Sequence, residues 1–165
     1  MNITITKPTI EDIDDLIPLW EQQYAYHYNL DSYYYVNNSV DLSEKFRDYL
    51  HESINHDNPK ILIAKNENII VGFITYSIEK EAYFDTKITQ YGSIKELCVA
   101  EKERGKSIGA KLMAAVEDFF INHKLFDIKL TSSFFNKDAL AFYEKLGYSN
   151  RHSTMFKRIK PKATT

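Results

Sequence analysis

The sequence predicts a mixed α/β domain, a β-sheet with helices on its faces. Three observations carry this reading. Short runs of alternating apolar residues fill the middle of the chain, while apolar residues elsewhere recur at three- and four-residue spacing. These runs follow one another in the order β-α-α-β-β-β-α-β-α-β-β, which suits a mixed sheet. The 165 residues, 44% hydrophobic and 27% charged, suffice for one core. Residues 1–160 are expected to form a single domain and 161–165 a tail.

Taken in order, Ile3 and Ile5 form a short strand that Lys7-Pro8 stops. Thr9 precedes Ile10-Glu11-Asp12, a helix cap with acids in the first turn. Ile13, Leu16, Ile17, Trp20 and Tyr24 share a helical face, which Pro18 should bend or divide. A tyrosine-rich stretch, 24–35, follows. Leu42, Phe46, Tyr49, Leu50 and Ile54 mark a second helix, capped by Asp41 or Ser43. Residues 60–64 and 69–78 flank the turn Asn66-Glu67-Asn68 as a hairpin. Residues 82–90 are loop-like and 93–99 a strand. A long helix over 107–124 carries Ile108, Leu112, Val116 and Phe119/Phe120 on one face. Residues 127–131 form a strand and 137–145 a helix that Gly147 stops. The last strands are expected from Tyr148 onward and over 154–159.

Composition narrows the function. A net charge of −2 points away from nucleic acid. No apolar run approaches the length of a membrane span, and Met1-Asn2-Ile3-Thr4 lacks the regions of a secretion signal. A single cysteine forms no internal disulfide and makes the cytoplasm the expected compartment. The five histidines show no metal spacing, so no metal is expected.

The stretch 94–113 is the most informative about chemistry. An extended run ends at Val99, a polar turn with two of the chain's five glycines follows, and a helix opens. Such a turn aims backbone N–H groups and a helix dipole at one point, an arrangement that binds phosphate. Ala100 to Ser107 has the outline of a P-loop with its first glycine replaced, but Glu101 and Glu103 would repel nucleotide phosphates, and no later strand ends in an acid suited to magnesium. The better reading is Arg104-Gly105-Lys106-Ser107-Ile108-Gly109-Ala110. Downstream, Asn136-Lys137-Asp138-Ala139-Leu140-Ala141-Phe142-Tyr143-Glu144-Lys145-Leu146-Gly147-Tyr148 places an amide at a helix start, a small residue facing a ligand, and a phenol.

These two stretches resemble the hallmarks of the GNAT acetyltransferase superfamily: Arg/Gln-x-x-Gly-x-Gly/Ala at the first, and an Asn, Ala, Phe-Tyr and Gly-Tyr pattern at the second. Ser107 stands where a glycine is usual, and a serine does not take positive φ cheaply. The resemblance is specific over 93–148 and weak before residue 58. It implies an acyl-CoA N-acyltransferase fold and transfer of an acetyl group from acetyl-CoA directly to a primary amine of a small molecule or protein; the alternative is a sensor that holds acyl-CoA without turnover. It further implies that Leu97, Cys98 and Val99, the turn residues 104–110, Asn136, Ala139 and Tyr143 contact the co-substrate, that Tyr143 is the acid for the departing thiolate, and that the chain forms a homodimer through its C-terminal strands.

Glu96, on the strand beside Leu97, is the chosen base; the competing reading is a solvated strand carboxylate. Strand alternation sets Leu97 and Val99 on one face and Glu96 and Cys98 on the other, unless a bulge re-aims them. Cys98 invites an acyl-enzyme, yet no histidine is near in sequence, and a buried small hydrophobe is the simpler reading. Tyr28, Asp31, Tyr33 and Tyr34, in a region crowded by Tyr24, Tyr26, Tyr35, Asn37 and Asn38, are the candidate acceptor residues. A phenol-lined lip with an acid suits an ammonium group; the same rings also serve to pack loops or a subunit contact. Glu79, Glu81 and Asp85 are expected to add negative charge at this mouth, and the basic C-terminal residues Lys157, Arg158, Lys160 and Lys162 to be a solvated end.

Overall fold

The computed structural model describes residues 2–37 and 40–159. Its five strands are β1 (Ile3–Thr6), β2 (Lys60–Asn66), β3 (Ile69–Lys80), β4 (Gln90–Val99) and β5 (Ile128–Leu130). Its helices are α1 (Ile13–Leu30), α2 (Val40–His56), α3 (Ile108–Asn122) and α4 (Lys137–Lys145), with 3-10 turns at Ile10–Asp12 and Glu101–Glu103. The sheet runs β1-β2-β3-β4-β5; the first four strands are antiparallel and β5 lies parallel to β4.

Each face of the sheet is closed by helices whose apolar residues repeat at the helical period. On one face, Leu16 and Ile17 of α1 and Phe46 and Leu50 of α2 pack over Ile61, Ile63, Phe73 and Cys98. On the other, Ile108, Leu112, Val116 and Phe120 stack four residues apart along α3 and seat on Val71, Ile74, Tyr76 and Ile94. Each such burial is worth about 1.5–3 kcal/mol. Close seating of α3 depends on Gly92, since a Cβ there would lie 2.5 Å from the Phe120 ring.

Two features of β4 shape the site. Glu96 pairs with Thr75 and Ile94 with Tyr76, so Lys95 is an extra residue, a β-bulge. The bulge puts Ile94 on the α3 face and Glu96, with Cys98, on the α1/α2 face. Pairing with β5 covers only Gly92, Ser93 and Ile94, whereas pairing with β3 continues to Val99. Beyond the bulge, β4 therefore has no strand on its β5 side among the described residues.

Several expectations need correction. Pro18 does not divide the first helix, which is continuous from Ile13 to Leu30; the lost N–H falls in its second turn, and Leu16, Ile17 and Leu19 hold that turn in the core. Thr9 caps the 3-10 turn reciprocally with Asp12, and α1 begins after it. Helix α2 begins at Val40, which leaves Asp41 in its first turn, while the Ser43 hydroxyl donates to Glu21 of α1 instead of capping. The two C-terminal strands do not form over 148–159. Phe156 instead packs edge-on against Tyr33, 5.8 Å between ring centroids. Asn38, Lys160, Lys162 and the expected tail lie outside the described residues. Among the described residues, no helix is long and apolar enough to cross a membrane and no group of three or more His, Cys, Asp or Glu side chains is disposed to hold a metal ion.

Candidate active site

The turn between β4 and α3 is built as an anion cradle. Gly105 and Ser107 both take left-handed φ, 77° and 62°. The first helical hydrogen bond of α3 runs from Lys111 N–H to the Ser107 carbonyl, so the amides of 105–110 find no backbone carbonyl among the described residues. They converge at the positive end of α3. The P-loop outline is not realised: Glu101–Glu103 coil into a 3-10 turn, and Lys106 pairs with Glu103 at 3.0 Å. Ser107 adopts the conformation its side chain disfavours. Replacing Ser107 with Gly is expected to raise stability by about 1 kcal/mol, relief of left-handed strain outweighing the added freedom of the unfolded chain; a thermal melt checks this.

The cradle is tied to α4. A Cβ at Gly109 would stand 3.2 Å from Phe142, so the first turn of α3 and the middle of α4 touch with no space between. Asn136, buried, caps α4 by accepting from Ala139 N–H at 3.1 Å, so its carbonyl oxygen serves the helix. Gly147, at φ 91°, ends α4 with its N–H on Glu144 and the Tyr148 N–H on Tyr143. The Tyr143 ring lies between Phe142 and Tyr148, at centroid distances of 5.2 and 5.9 Å. Tyr148 in turn donates its hydroxyl to Glu117 of α3 at 3.1 Å.

The free margin of β4 supplies backbone groups. Ala100 N–H donates to Val71 of β3, so alternation turns the amides of Cys98 and Glu96 toward β3 and those of Leu97 and Val99 toward the notch beyond the bulge. The Arg104 side chain confirms the direction: its Nε donates to the Val99 carbonyl at 3.2 Å. Of the three strand residues expected at the co-substrate, Leu97 and Val99 thus aim their peptide groups into the notch, and Cys98 does not. The Cys98 thiol is buried on the α1 side, donates to the Leu19 carbonyl at 3.2 Å, and is pushed up to about 12 by burial, with Arg104 opposing and Glu96 adding. A thiol so held stays protonated and is no nucleophile.

Glu96 is not a solvated strand carboxylate. Gln23 of α1 donates to its Oε2 at 2.9 Å, and burial pushes its carboxyl above the ordinary range against that hydrogen bond. Its cross-strand neighbour Thr75 is fully buried and accepts the Tyr49 hydroxyl at 3.3 Å. The Gln23 Oε1 atom and, one turn on, His27 Nδ1 are buried without partners among the described residues. Burial also raises the phenols of Tyr35, Tyr49 and Tyr143, and the Glu96 charge adds to all three. Tyr143 is pushed up to about 12.

The sequence singled out Glu96 and Tyr143 but not Gln23, Tyr49, Thr75 or Tyr35, which complete their surroundings. Gln23 lies 73 residues from Glu96, and no local pattern joins them. Tyr33 and Tyr34 are more than half exposed at the mouth; Tyr28 is half-buried on α1; the Asp31 carboxylate accepts the Tyr34 N–H at 3.3 Å within its own turn. The acids expected to charge this mouth are compensated: Glu79 pairs with Lys95 at 2.9 Å and Glu81 with Lys129, while Asp85 is exposed.

An anion cradle at a helix start, a strand margin with outward amides, a partly buried acid on that strand and a phenol on the helix packed against the cradle are features suited to acyl transfer from a phosphate-bearing donor. Residues 17–148 match the acetyltransferase (GNAT) family. The chain is 26% identical over 151 residues to the aminoalkylphosphonate N-acetyltransferase of Salmonella typhimurium, covering 88% of this chain and 96% of that one. In fold it is similar to a Bacillus halodurans protein solved as a point mutant (TM-score 0.81, 22% identity, 95% and 99% of the two chains). It also resembles a Clostridium acetobutylicum predicted acetyltransferase solved with acetyl-CoA (TM-score 0.71, 14% identity, 95% and 96%). The chain belongs to the GNAT family and is an N-acetyltransferase.

Proposed function

We propose that this enzyme moves the acetyl group of acetyl-CoA in one step to a primary amine, with Glu96 receiving the amine proton and Tyr143 supplying the proton to the departing sulfur. The observation that supports the reading is a partly buried carboxylate, held by Gln23, on the strand whose open margin and following amide cradle suit pantetheine and pyrophosphate, with the partly buried phenol of Tyr143 on the helix packed against that cradle.

The residues present fit the co-substrate. Amides 105–110 and the α3 dipole suit the pyrophosphate, with Arg104 and Lys106 beside them. The outward peptide groups of Leu97 and Val99 suit an arm that lies along β4 as an added strand, and the amide of one of them stabilises the negative charge that develops on the carbonyl oxygen. Acetyl-CoA supplies the activated acyl carbon and a thiolate leaving group.

The proton balance follows from the two side chains. A lysine-like ammonium has a pKa of about 10.4 and must lose a proton to attack. Glu96, raised by burial, is a better acceptor than an exposed carboxylate, and Gln23 holds it in place. The carbon–nitrogen bond forms, the carbon–sulfur bond breaks, and the phenolic proton of Tyr143 passes to sulfur; the second proton of the attacking nitrogen returns to the phenolate, and the proton on Glu96 leaves to solvent. Because the Glu96 charge helps keep that phenol protonated, arrival of a proton on Glu96 removes this influence and makes Tyr143 a stronger acid as the thiolate needs it. Cys98, held protonated and turned away, forms no acyl-enzyme. The buried cysteine agrees with a cytoplasmic location.

The test pairs two readouts: free thiol appears from acetyl-CoA only when an amine is present, and the N-acetylated amine accumulates in equal amount by mass spectrometry. Thiol release without acetylated product, or an acetylated protein trapped before amine is added, overturns direct transfer.

A further inference from the structure

The tyrosine-rich segment after α1 and the chain after α4 meet in a feature that the transfer chemistry does not use. A cleft of about 630 Å³ is lined by Tyr33, Tyr34, Phe156, Lys157, Arg158 and Ile159. The Arg158 guanidinium lies over the Tyr33 ring at 5.3 Å, and Phe156 packs on the same ring. Neither Lys157 nor Arg158 pairs with a carboxylate among the described residues. The guanidinium is thus positioned by an aromatic face, with its fork of donors unspent.

Packed rings lead from this cleft toward Glu96. Tyr34 adjoins Tyr35 at 5.2 Å between centroids, Tyr35 packs on His27 of α1 at 5.5 Å, and His27 lies one turn beyond Gln23, which donates to Glu96. The path from acid to cations is therefore a wall of adjacent rings, roughly 10 Å or more at ordinary ring spacings. The charges at its two ends are opposite. Inside stand Glu96 and the Gln23 Oε1, which has no partner among the described residues, both acceptors suited to an amine's hydrogens. Outside stand two cations. Glu79 and Glu81, which would have made the mouth suit a polycation, are neutralised by Lys95 and Lys129.

We infer that the acceptor is a bipolar small molecule: its amine nitrogen lies at Glu96, and an oxyanion at its other end, carboxylate or phosphoryl, is held by Lys157 and Arg158 across the Tyr33–Tyr34 wall. The inference rests on the transfer reading above and adds the far end of the substrate. Guanidinium and ammonium donors bind both kinds of oxyanion with charge-assisted hydrogen bonds, while the phenol rings offer an apolar surface to the connecting chain.

The experiment compares four amines of matched length on the full-length enzyme with acetyl-CoA: an alkylamine, a diamine, an ω-amino carboxylate and an aminoalkyl phosphate. The expected result is kcat/KM for the two oxyanion-bearing amines about tenfold or more above the other two, expressed in KM. The ratio between carboxylate and phosphate identifies which oxyanion the cleft prefers. Lys157→Glu combined with Arg158→Glu is expected to invert the order and place the diamine first, a gain that mere damage to the fold cannot produce. Equal rates for all four amines, a diamine preference in the natural protein, or an unaltered order in the double variant overturns the inference while leaving amine acetylation intact. Failure of every amine to release thiol overturns the transfer reading and this inference together.

Discussion

Replacing Tyr143 with phenylalanine is expected to lower kcat by roughly 10²- to 10⁴-fold, the range for loss of a positioned acid, while the dissociation constant for acetyl-CoA stays nearly unchanged. The ring contacts to Phe142 and Tyr148 persist in the variant, and the cradle at 105–110 does not involve the hydroxyl. A loss confined to kcat marks an interaction made only in the transition state. The phenol is pushed up to about 12, so it carries its proton throughout the working range and the variant does not shift the pH at which the rate rises. Acceptor-dependent thiol release, with calorimetric titration of acetyl-CoA, checks both halves; an unaltered kcat removes Tyr143 from the reaction.

Glu96→Gln is expected to act in opposite senses on rate and stability. Activity falls by roughly 10²-fold or more as the proton acceptor is lost, and the variant lacks the acidic limb that the natural enzyme shows as Glu96 ionises. For stability, the folded carboxyl titrates above its unfolded value because it is buried. Below the unfolded pKa both states are protonated and the group is neutral in its effect. As pH rises through the window up to the raised folded value, the unfolded chain ionises first and the native state loses stability. The glutamine variant is spared that loss and retains an acceptor for Gln23. Its melting temperature is therefore expected to exceed that of the natural protein at neutral pH and to converge with it in acid. Melts at the two pH values check this; a variant that melts lower at neutral pH would show that the carboxylate stabilises the fold.

The turn and helix proposed for the co-substrate were legible as structure because they are local. A glycine-bearing turn at a helix start and the bounds of α4, Lys137–Lys145, follow from contiguous residues, and the period-two rule set Leu97 and Val99 opposite Glu96 and Cys98. The surroundings of Glu96 were not legible because they are made of long-range meetings. Gln23 reaches Glu96 from α1, Tyr49 reaches Thr75 from α2, and Tyr35 comes from a run of tyrosines in which nothing marks it out. The bulge at Lys95 has no signature in composition; it shows only as a slip of register against β3. The C-terminal strands failed for a related reason: alternation proposes a strand, but only a partner edge makes one, and residues 154–159 meet Tyr33 instead. The charge at the mouth was misjudged because Lys95 and Lys129, which neutralise Glu79 and Glu81, are remote from them in sequence.

The notch beside Leu97 and Val99 bears on handling as well as on turnover. Outward peptide groups along a strand are a template on which any extended chain can dock, and natural sheets usually hide or charge such borders. Under the proposed transfer, the pantetheine arm would be the cover. Freshly purified protein freed of its thioester is then the form most prone to clump on storage, and a small excess of coenzyme in the buffer should act as a preservative.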